Sequence, residues 1–325
     1  MTKLKDVAAY LGLSISTVSR VLNNYDRVAP ETRKKVEEAI KKLDYHPDEI
    51  AQRLRTNSSD VIGVVVPDIS NPFFADIVRG AQRAADEAGF TVLLCDTNSS
   101  VSLEKRSVSL LMRHKVFGII SASVAAKKDA LEIYDPYDNI IFVDNVPELN
   151  RDYSSVSINN YLATKELINL LLKKGYNSIF TIAGPQNESS AVDRLNGYRD
   201  ALADNNISVL DEHIRFGDYN YASGEEQMKA FLKMKNPPSA VFAANNFMAY
   251  GAMRVILNAG LSVPNDIAIA TFDVFDNTRL IKDYFIYVKQ PAFDIGFSAA
   301  QMSINSKNQN KVTNCCKMIL RHTIV

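Results

Sequence analysis

The sequence predicts an N-terminal all-α helix-turn-helix domain followed by an α/β core of two doubly wound parallel-sheet subdomains. Residues 1–46 carry helical apolar spacing and no strand pattern. From Val61 onward, strand-like apolar runs alternate strictly with amphipathic helical segments, which is typical of parallel sheets with helices on both faces. The chain has 325 residues, too many for one ordinary domain. Its roughly dozen α/β elements favour two sheets over one.

Residues 1–46 predict three short helices, the first two joined tightly through residues 12–14. The first and third helices show apolar residues at i, i+3, i+4 and i+7, namely Leu4, Val7, Ala8 and Leu11, then Val36, Ala39, Ile40 and Leu43. Val18, Val21 and Leu22 form the apolar face of the second helix, which the Ser14 hydroxyl is placed to cap. Pro30 suits a first helical position, where the missing N–H costs nothing.

Residues 47–60 predict a brief helix, 48–54, followed by a polar linker. Beyond it, strands are expected at Val61–Val66, Thr91–Cys95, Phe117–Ser121, Ile140–Val143, Ser178–Ala183, Ala240–Ala244 and Ile267–Phe272. Helices are expected around 73–88, 102–114, 161–174, 189–205, 222–234, 246–259 and 292–305.

Composition excludes several classes of protein. Lys+Arg and Asp+Glu balance at 37 each, so the whole chain has no charge signature for nucleic acid or an acidic membrane, although a large neutral part can mask a small basic module. No apolar stretch approaches a membrane span, and the N-terminus does not resemble a secretory signal. The cysteines are Cys95 and the adjacent pair Cys315 and Cys316, an odd number that favours a reducing cytoplasm.

No motif for catalysis, cofactor binding or metal binding is present in the sequence. There is no G-x-G for a dinucleotide or phosphate loop, no G-x-S-x-G and no H-E-x-x-H or C-x-x-C. The four histidines are isolated, and no carboxylate pair stands out for acid–base work. We therefore expect a binding protein without cofactor or metal rather than an enzyme.

The second helix has the chemistry of a DNA-reading surface. Inward Val18, Val21 and Leu22 leave Ser16, Ser19, Arg20 and Asn23 outward, and an arginine can grip guanine through two donors. Residues 1–60 carry six Lys and five Arg against five Asp and four Glu, a net charge of 11 − 9 = +2. The alternative, left open by the pattern alone, is an ordinary three-helix domain with a polar face.

Many motifs along the chain resemble the lactose-repressor (LacI/GalR) family of bacterial transcription regulators. They are Lys5-Asp6-Val7-Ala8, residues 13–23 (LSISTVSRVLN), Glu31-Thr32-Arg33, Tyr45-His46-Pro47, residues 62–74 (IGVVVPDISNPFF), Ala183-Gly184-Pro185, residues 194–198 (RLNGY) and Gln290-Pro291. They occur in family order over essentially the whole chain.

The resemblance implies how the head binds operator DNA. Ile15, Ser16 and Arg20 occupy its base-reading positions, and Thr17 and Asn23 complete the candidate set on this helix. Residues 48–55 match the family's hinge helix, in which Leu54 stands where relatives insert a wedge at a central CG step of the minor groove. Without the resemblance, an ordinary core leucine is the favoured interpretation of Leu54.

Arg55 follows at a position suited to the minor groove or a phosphate. Asp48 and Gln52 depart from the family's usual Asn and Arg. Asp48 can still cap the hinge helix, but a carboxylate near phosphates is expected to weaken DNA affinity slightly.

For the core, the resemblance implies a fold similar to periplasmic sugar-binding proteins, with two subdomains closing on an effector. We place the domain boundaries at 1–46 for the head, 47–60 for the hinge helix and linker, and 61–325 for the core. Crossovers near 160, 290 and 320 give an N-subdomain of about 61–160 and 291–320 and a C-subdomain of about 161–290 and 321–325.

Polar residues after the predicted strands are the effector candidates, because ligands bind beyond the carboxyl ends of parallel strands. Phe73 and Asp144 are candidates because they follow predicted strands, and Arg194, Tyr219, Asn245 and Asp273 because they match effector positions of the family. Gln290, in the Gln290-Pro291 motif, completes the set. Hydrogen-bonding groups beside an aromatic face suit a sugar or sugar derivative. Phe73 is equally consistent with a core position, and Arg194 and Asp273 with a structural ion pair.

Asn246, Thr271 and Val274 depart from the family pattern, so the effector is expected to differ from its commonest sugars. The chain ends at Val325 without the terminal leucine heptad of some relatives, which favours a homodimer over a tetramer.

The resulting hypothesis is a cytoplasmic homodimeric repressor of a near-palindromic operator, controlled by a carbohydrate-like effector through a subdomain rotation that sets the hinge separation. The alternative is control by a protein co-regulator, such as a phosphorylated carrier protein, instead of a free sugar.

Overall fold

The computed structural model describes residues 4–22, 28–43, 59–275, 282–306 and 315–325. Contacts between α-carbons divide the chain into two compact units, Met1–Ser59 and Asp60–Val325. Each unit has a hydrophobic core of its own.

The N-terminal unit contains the three predicted helices, α1 (Leu4–Leu11), α2 (Ile15–Leu22) and α3 (Pro30–Lys42). Its buried core draws on all three helices and consists of Val7, Ala8, Val18, Val21, Val36 and Ala39. The remaining residues of the predicted apolar faces, Leu4, Leu11, Leu22, Ile40 and Leu43, pack against that core while partly buried. The apolar spacing therefore predicted the head correctly.

The turn between α1 and α2 depends on two residues. Gly12 adopts a left-handed φ of +64°, a conformation that favours glycine. The Ser14 hydroxyl accepts a hydrogen bond from the Thr17 N–H at 3.1 Å, which confirms it as the cap of α2. Together these two residues allow a short turn, so α2 begins at Ile15, only four residues after α1 ends at Leu11.

The larger unit contains two six-stranded sheets. The strands of the first sheet are all parallel and run in the order β11-β5-β4-β3-β1-β2. They are β1 (Val61–Val66), β2 (Thr91–Asp96), β3 (Gly118–Ser121), β4 (Ile140–Val143), β5 (Ser154–Ile158) and β11 (Lys317–Leu320). The helices covering this sheet are α4 (Pro72–Glu87), α5 (Val101–Arg113), α6 (Lys127–Tyr134) and α11 (Ala292–Ser306).

The second sheet has the order β12-β10-β9-β8-β6-β7 and is parallel except for its short last strand. Its strands are β6 (Ile179–Ala183), β7 (Ile214–Phe216), β8 (Ala240–Ala243), β9 (Ala268–Phe272), β10 (Phe285–Lys289) and β12 (Thr323–Ile324). Its helices are α7 (Asn160–Lys173), α8 (Ser189–Asp204), α9 (Tyr221–Leu232) and α10 (Asn246–Asn258). Short 3₁₀ turns lie at Asp211–His213 and Lys282–Tyr284.

The chain crosses between the two sheets three times: after Ile158, after Lys289, and between Leu320 and Thr323. Because both sheets are built from parallel strands, each collects its strand-end loops at one edge. The predicted fold class, an all-α head followed by two doubly wound sheets, is confirmed.

The sequence did not single out every element. Strand β5 contains three serines in five residues, so it lacks the apolar run used to recognise the others. Strands β7 and β12 have three and two residues, too few for a periodic signal. Strand β10 (FIYVK) does carry a strand-typical pattern that was overlooked, and α6 and β11 were also missed.

Helices α4 and α11 pack unusually closely through two glycines. A β-carbon on Gly80 would lie 1.9 Å from the Phe293 carbonyl oxygen, and one on Gly296 would lie 1.9 Å from the Ile77 carbonyl oxygen. Only hydrogen at both positions allows this approach, which fixes the segment after the second crossover onto the first sheet.

Candidate effector site and DNA-reading surface

A cavity of about 560 Å³ lies between the strand-end loops of the two sheets. This volume suits a small ligand. The loops after β1, β2, β3 and β4 contribute from the first sheet, and those after β6, β7, β8, β9 and β10 from the second. The seven effector candidates predicted from the sequence all line it: Phe73, Asp144, Arg194, Tyr219, Asn245, Asp273 and Gln290.

Arg194, on α8, is the most extensively engaged of these residues. Its Nε donates to Asn160 Oδ1 at 2.9 Å, and its Nη1 donates to the Ala244 carbonyl at 2.6 Å. The guanidinium carbon lies 3.8 Å from the centre of the Phe272 ring, and Nη2 lies 3.9 Å from Asp144 Oδ1. The side chain is 5% exposed, so its orientation is fixed before any ligand enters.

The sequence left open a structural ion pair between Arg194 and Asp273. Among the described residues, these two side chains form no such pair. Both carboxylate oxygens of Asp273 instead accept from Gln290, one from its backbone N–H at 2.8 Å and the other from its side-chain amide at 2.6 Å. Burial raises the pKa of Asp273 to about 7, against the opposing effect of the Gln290 hydrogen bonds. Asp273 therefore anchors the second crossover as well as facing the cavity.

Five cavity residues have φ values in the left-handed region that non-glycine residues seldom adopt. They are Asn98 (46°), Ser99 (54°), Asp144 (59°), Tyr219 (68°) and Asp273 (53°). Asp144 and Asp273 directly follow β4 and β9. Such strain is concentrated at functional sites, where the surrounding structure compensates for it.

The aromatic side of the cavity depends on Gly184, Tyr219 and Asn245. A β-carbon on Gly184 would lie 2.4 Å from the Tyr219 ring, so glycine is needed for the ring to pack there. Asn245 donates to the Tyr219 carbonyl at 2.8 Å and accepts from the Met248 N–H at 3.0 Å, capping α10. Asn245 thus positions neighbouring groups in addition to lining the cavity.

Phe73 has the two roles left open by the sequence. It lines the cavity, yet it is 5% exposed and belongs to the core cluster of the first sheet. Its ring meets the Phe74 ring edge-on at 5.1 Å between centroids.

Glu188 is a cavity residue that the sequence analysis missed. It precedes α8 as its N-cap residue without making a side-chain cap, and it lines the cavity. Burial raises its pKa to about 8, assisted by the Asp144 charge and opposed by Arg194. It lies in the loop between β6 and α8, and this position after a recognisable strand was the available signal.

Glutamine at position 188 is expected to change the pH dependence of stability in the ligand-free protein. Because the folded-state pKa of Glu188 is about 8 against 4.5 for a free side chain, the folded protein holds this proton more tightly. The resulting contribution to the free energy of unfolding is complete below pH 4.5 and is lost as pH rises to about 8. In thermal melts, Glu188→Gln is expected to raise Tm by at least about 2 °C at pH 8.5 and little at pH 5.

The matched control for this pH experiment is Glu226→Gln. Glu226 is exposed on α9, and the change removes the same charge. Parallel pH profiles for the wild type and Glu188→Gln would contradict the raised pKa of Glu188.

Amide side chains join the two sides of the cleft. Asn71, before α4, and Asn246, at the start of α10, exchange two hydrogen bonds of 3.2 Å, and both residues are buried. Asn145, after β4, accepts from the Ser189 N–H at 2.6 Å and from the Ser189 hydroxyl at 2.8 Å. Asn246 is one of the departures from the family pattern, and its pairing with Asn71 gives that departure a structural role.

The Asn71–Asn246 pair is expected to couple the two sides energetically. Either single alanine variant leaves a buried amide without its partner, which costs about 1–3 kcal/mol. Asn71 also accepts from the Phe73 N–H, so only a double-mutant cycle isolates the pair. Urea unfolding of the four proteins is expected to give a coupling free energy of about 1 kcal/mol.

The exposed amide pair Asn169 and Asn205, joined by a 2.8 Å hydrogen bond, provides the control cycle. A coupling at Asn71–Asn246 no larger than that of this control pair would exclude the proposed cross-cleft contact.

The head presents part of the predicted DNA-reading surface. Ile15, Ser16 and Arg20 are exposed on α2, and Ile15 at 52% exposure suits contact with a thymine methyl group. Thr17 is partly buried, with its hydroxyl 2.8 Å from the Ser14 hydroxyl.

Ser19 was expected on the outward face, and this expectation is wrong: it is 8% exposed. Helix α2 packs against both α1 and α3, so more of its surface is covered than the apolar residues alone indicate. Asn23, Leu54 and Arg55 lie outside the described residues, as do Asp48 and Gln52.

A helix-turn-helix head on the same chain as a two-sheet ligand-binding core defines a ligand-responsive bacterial transcription regulator. Residues 3–48 match the family model described as bacterial regulatory proteins of the lacI family. Residues 59–316 match the model for periplasmic binding proteins and the sugar binding domain of the LacI family. The chain belongs to the LacI family and is a DNA-binding transcription regulator.

Individual relatives match over nearly their whole length. The chain is 34% identical to the transcriptional regulator RegA of Clostridium acetobutylicum, over 99% of this chain and 97% of that protein. It is 32% identical to the transcriptional repressor CytR of Escherichia coli K12, over 98% and 95%. The crystal structure of a lac repressor dimer bound to operator and the anti-inducer ONPF is similar, with a TM-score of 0.88, 29% identity and coverage of 100% and 97%.

These relatives are transcription regulators rather than enzymes. Nothing in the comparisons supports the alternative of a protein co-regulator. Among the described residues, no helix has the length and apolar character needed to cross a bilayer. Nor do three His, Cys, Asp or Glu side chains group there as a set of metal ligands.

Proposed function

We propose that this chain is a cytoplasmic homodimeric repressor that binds a near-palindromic operator and responds to a small sugar or sugar derivative in its cavity. The observation that carries the proposal is the cavity between the two sheets of a chain that also bears a helix-turn-helix head. The lac repressor dimer on its operator and the repressor CytR support the dimeric and repressive parts.

The chemistry of the cavity supports a sugar ligand. Carboxylate and amide oxygens can accept hydrogen bonds from hydroxyls, while the Tyr219 and Phe247 rings offer faces for C–H groups. The effector residues proposed are those predicted from the sequence, with Asn245 and Asp273 acting partly through the groups they position.

Coupling between effector binding and operator binding requires that the effector bind two arrangements of the core with different affinities. The two sheets are joined by three crossovers, and the Asn71–Asn246 and Asn145–Ser189 contacts span the cleft. A ligand that makes or replaces contacts across the cleft therefore biases the rotation of one subdomain against the other. By reciprocity, operator binding changes effector affinity by the same factor.

Fluorescence anisotropy with a labelled operator duplex tests this proposal. An effector is expected to change the operator dissociation constant by about 5–150-fold, and operator DNA to change effector affinity equally. Unchanged operator affinity across neutral, amino and phosphorylated sugars would refute control by a carbohydrate-like effector.

Asp273→Ala is expected to abolish the effector response and leave operator binding unchanged, because Asp273 faces the cavity and holds Gln290. Asp273→Asn retains an acceptor for the Gln290 N–H and serves as the comparison. If the asparagine variant restores most of the response, Asp273 acts by positioning Gln290; if neither variant responds, its carboxylate contacts the effector. A full response in the alanine variant would remove Asp273 from the site.

A further inference from the structure

Carboxyl groups outnumber cationic groups in the cavity. Among the described residues that line it, five carry carboxyl groups, Asp68, Asp144, Glu188, Asp218 and Asp273, and Arg194 is the one cation. Asp68 and Asp218 are engaged in local turns, where their oxygens accept from the Ser70 and Asn220 N–H groups. Burial raises the pKa of the other three, Asp144, Glu188 and Asp273, so a cation that enters the cavity would favour their ionised forms.

Arg194 lowers the pKa values of these carboxyl groups but donates no hydrogen bond to any of them. Its guanidinium is directed to Asn160 and the Ala244 carbonyl, and it stacks on Phe272. Its contact with Asp144, at 3.9 Å, is too long for a hydrogen bond. The Arg194 guanidinium is therefore already bonded and is poorly placed to pair with an anionic ligand. No other cation among the described residues lines the cavity.

The cavity also has acceptors without donors. Asp144 Oδ1, Gln290 Oε1 and the Tyr219 hydroxyl are buried and have no hydrogen-bond partner among the described residues. Of these groups, the two acyl oxygens can only accept while Asp144 is ionised. Glu188 is half-buried in the same cavity, and its side chain does not cap α8. Buried acceptors without donors cost free energy, so a ligand that supplies N–H or O–H groups relieves that cost.

We propose that the effector carries a protonated amino group in addition to its hydroxyls, and that the Glu188 and Asp144 carboxylates bind this ammonium group. The effector class is then an amino sugar or a similar amine-bearing polyhydroxy compound. The inference rests on the proposed function, because it names the ligand of the same cavity. An ammonium supplies three donors and a positive charge, which matches both the excess of carboxyl groups and the missing donors. Phosphorylated and carboxylated sugars are expected to be disfavoured, because Arg194 is the one cation among the described lining residues and its guanidinium is already bonded.

Matched sugars test the proposal. D-glucosamine, D-galactosamine and D-mannosamine are compared with the three parent hexoses and their 6-phosphates, using thermal shift and isothermal titration calorimetry on the full chain. At least one amino sugar is expected to bind at least about 10-fold more tightly than its parent, the difference that a charge-assisted hydrogen bond provides. The phosphates are expected not to bind.

Glu188→Gln is expected to remove most of that preference, weakening the amino sugar about 10-fold and its parent little. Glu226→Gln, an exposed change of the same charge, is the control and should bind like the wild type. Thermal unfolding of each variant shows whether it is folded.

Proton release gives a second readout. The charged and titratable groups around Glu188 are Asp144, Arg194, Glu104 and Tyr219. An ammonium group favours the ionised form of Glu188, whose pKa in the free protein is about 8, so binding near pH 7 releases a proton. Calorimetry in two buffers of different ionisation enthalpy should show this release in the wild type and less of it in Glu188→Gln.

A neutral or phosphorylated sugar that binds as tightly as the best amine, with affinity unchanged in Glu188→Gln, would overturn the inference. The proposed function would survive that result if the same sugar changed operator affinity. If no compound of any class binds or changes operator affinity, the proposed function itself fails, and the inference fails with it.

Discussion

Arg194→Ala is expected to abolish the effector response and to weaken effector binding by at least about 100-fold. The guanidinium is buried and holds Asn160, the Ala244 carbonyl and the Phe272 face in one arrangement. Removing it leaves Asn160 Oδ1 and the Ala244 carbonyl without their buried donor, which costs about 1–3 kcal/mol for each group. The free energy of unfolding should therefore fall together with effector affinity.

Arg199→Ala is the control for this experiment. Arg199 is exposed on the same helix, α8, and its loss changes the net charge equally. Calorimetry with effector and chemical unfolding are run on both variants. Arg194→Lys separates charge from geometry, because lysine keeps the charge but cannot form the same fork and stacked contact. Wild-type effector affinity in a folded Arg194→Ala protein would show that the guanidinium has no part in binding.

Arg20→Ala is expected to remove operator discrimination while much of the non-specific binding survives. Arg20 is exposed on α2, and a bidentate contact from arginine to guanine contributes about 1–3 kcal/mol of discrimination. The ratio of operator to random-duplex affinity should fall about 5–150-fold. Non-specific binding depends on phosphate contacts and salt, so it should change much less.

Lys35→Ala, an exposed charge change on α3, is the control for Arg20→Ala. Both variants are measured by anisotropy with operator and random duplexes at two salt concentrations. We expect the control to retain the operator preference. Equal losses of preference in the two variants would mean that Arg20 acts through net charge instead of reading a base.

Local rules predicted much of the fold. The head follows from apolar spacing, the Ser14 cap and Pro30 in the first turn of α3. The main strands follow from apolar runs, because the inner strands of a parallel sheet are buried on both faces. Strand β5 was not predicted because its pairing with β4 and β11, and not its own composition, makes it a strand.

The lining of the cavity was predicted in part. Residues that follow recognisable strands, such as Asp144, Asn245 and Asp273, line the cavity as expected. The partners of these residues could not be read from the sequence, since Asn71 and Asn246 are 175 positions apart. Glu188 was missed because only the folded chain shows that it lines the cavity and that burial raises its pKa.

Two other residues that depart from the family pattern, Thr271 and Val274, lie beside Phe272 and Asp273 in the sequence. Thr271 is fully buried in β9, and Val274 packs against the core of the second sheet. Both therefore fill space behind the Phe272–Asp273 segment. Neither residue lines the cavity, so we expect both to affect the position of Asp273 more than direct ligand contact.

The most direct test of the account is selection of bound duplexes from a random DNA pool by the full chain. A dimer with two reading heads predicts enrichment of a near-palindrome of about 16–18 base pairs with two half-sites. Arg20→Ala should lose this enrichment. An enriched single half-site without symmetry, or the absence of any enriched sequence with or without the tested sugars, would contradict a dimeric, effector-controlled repressor.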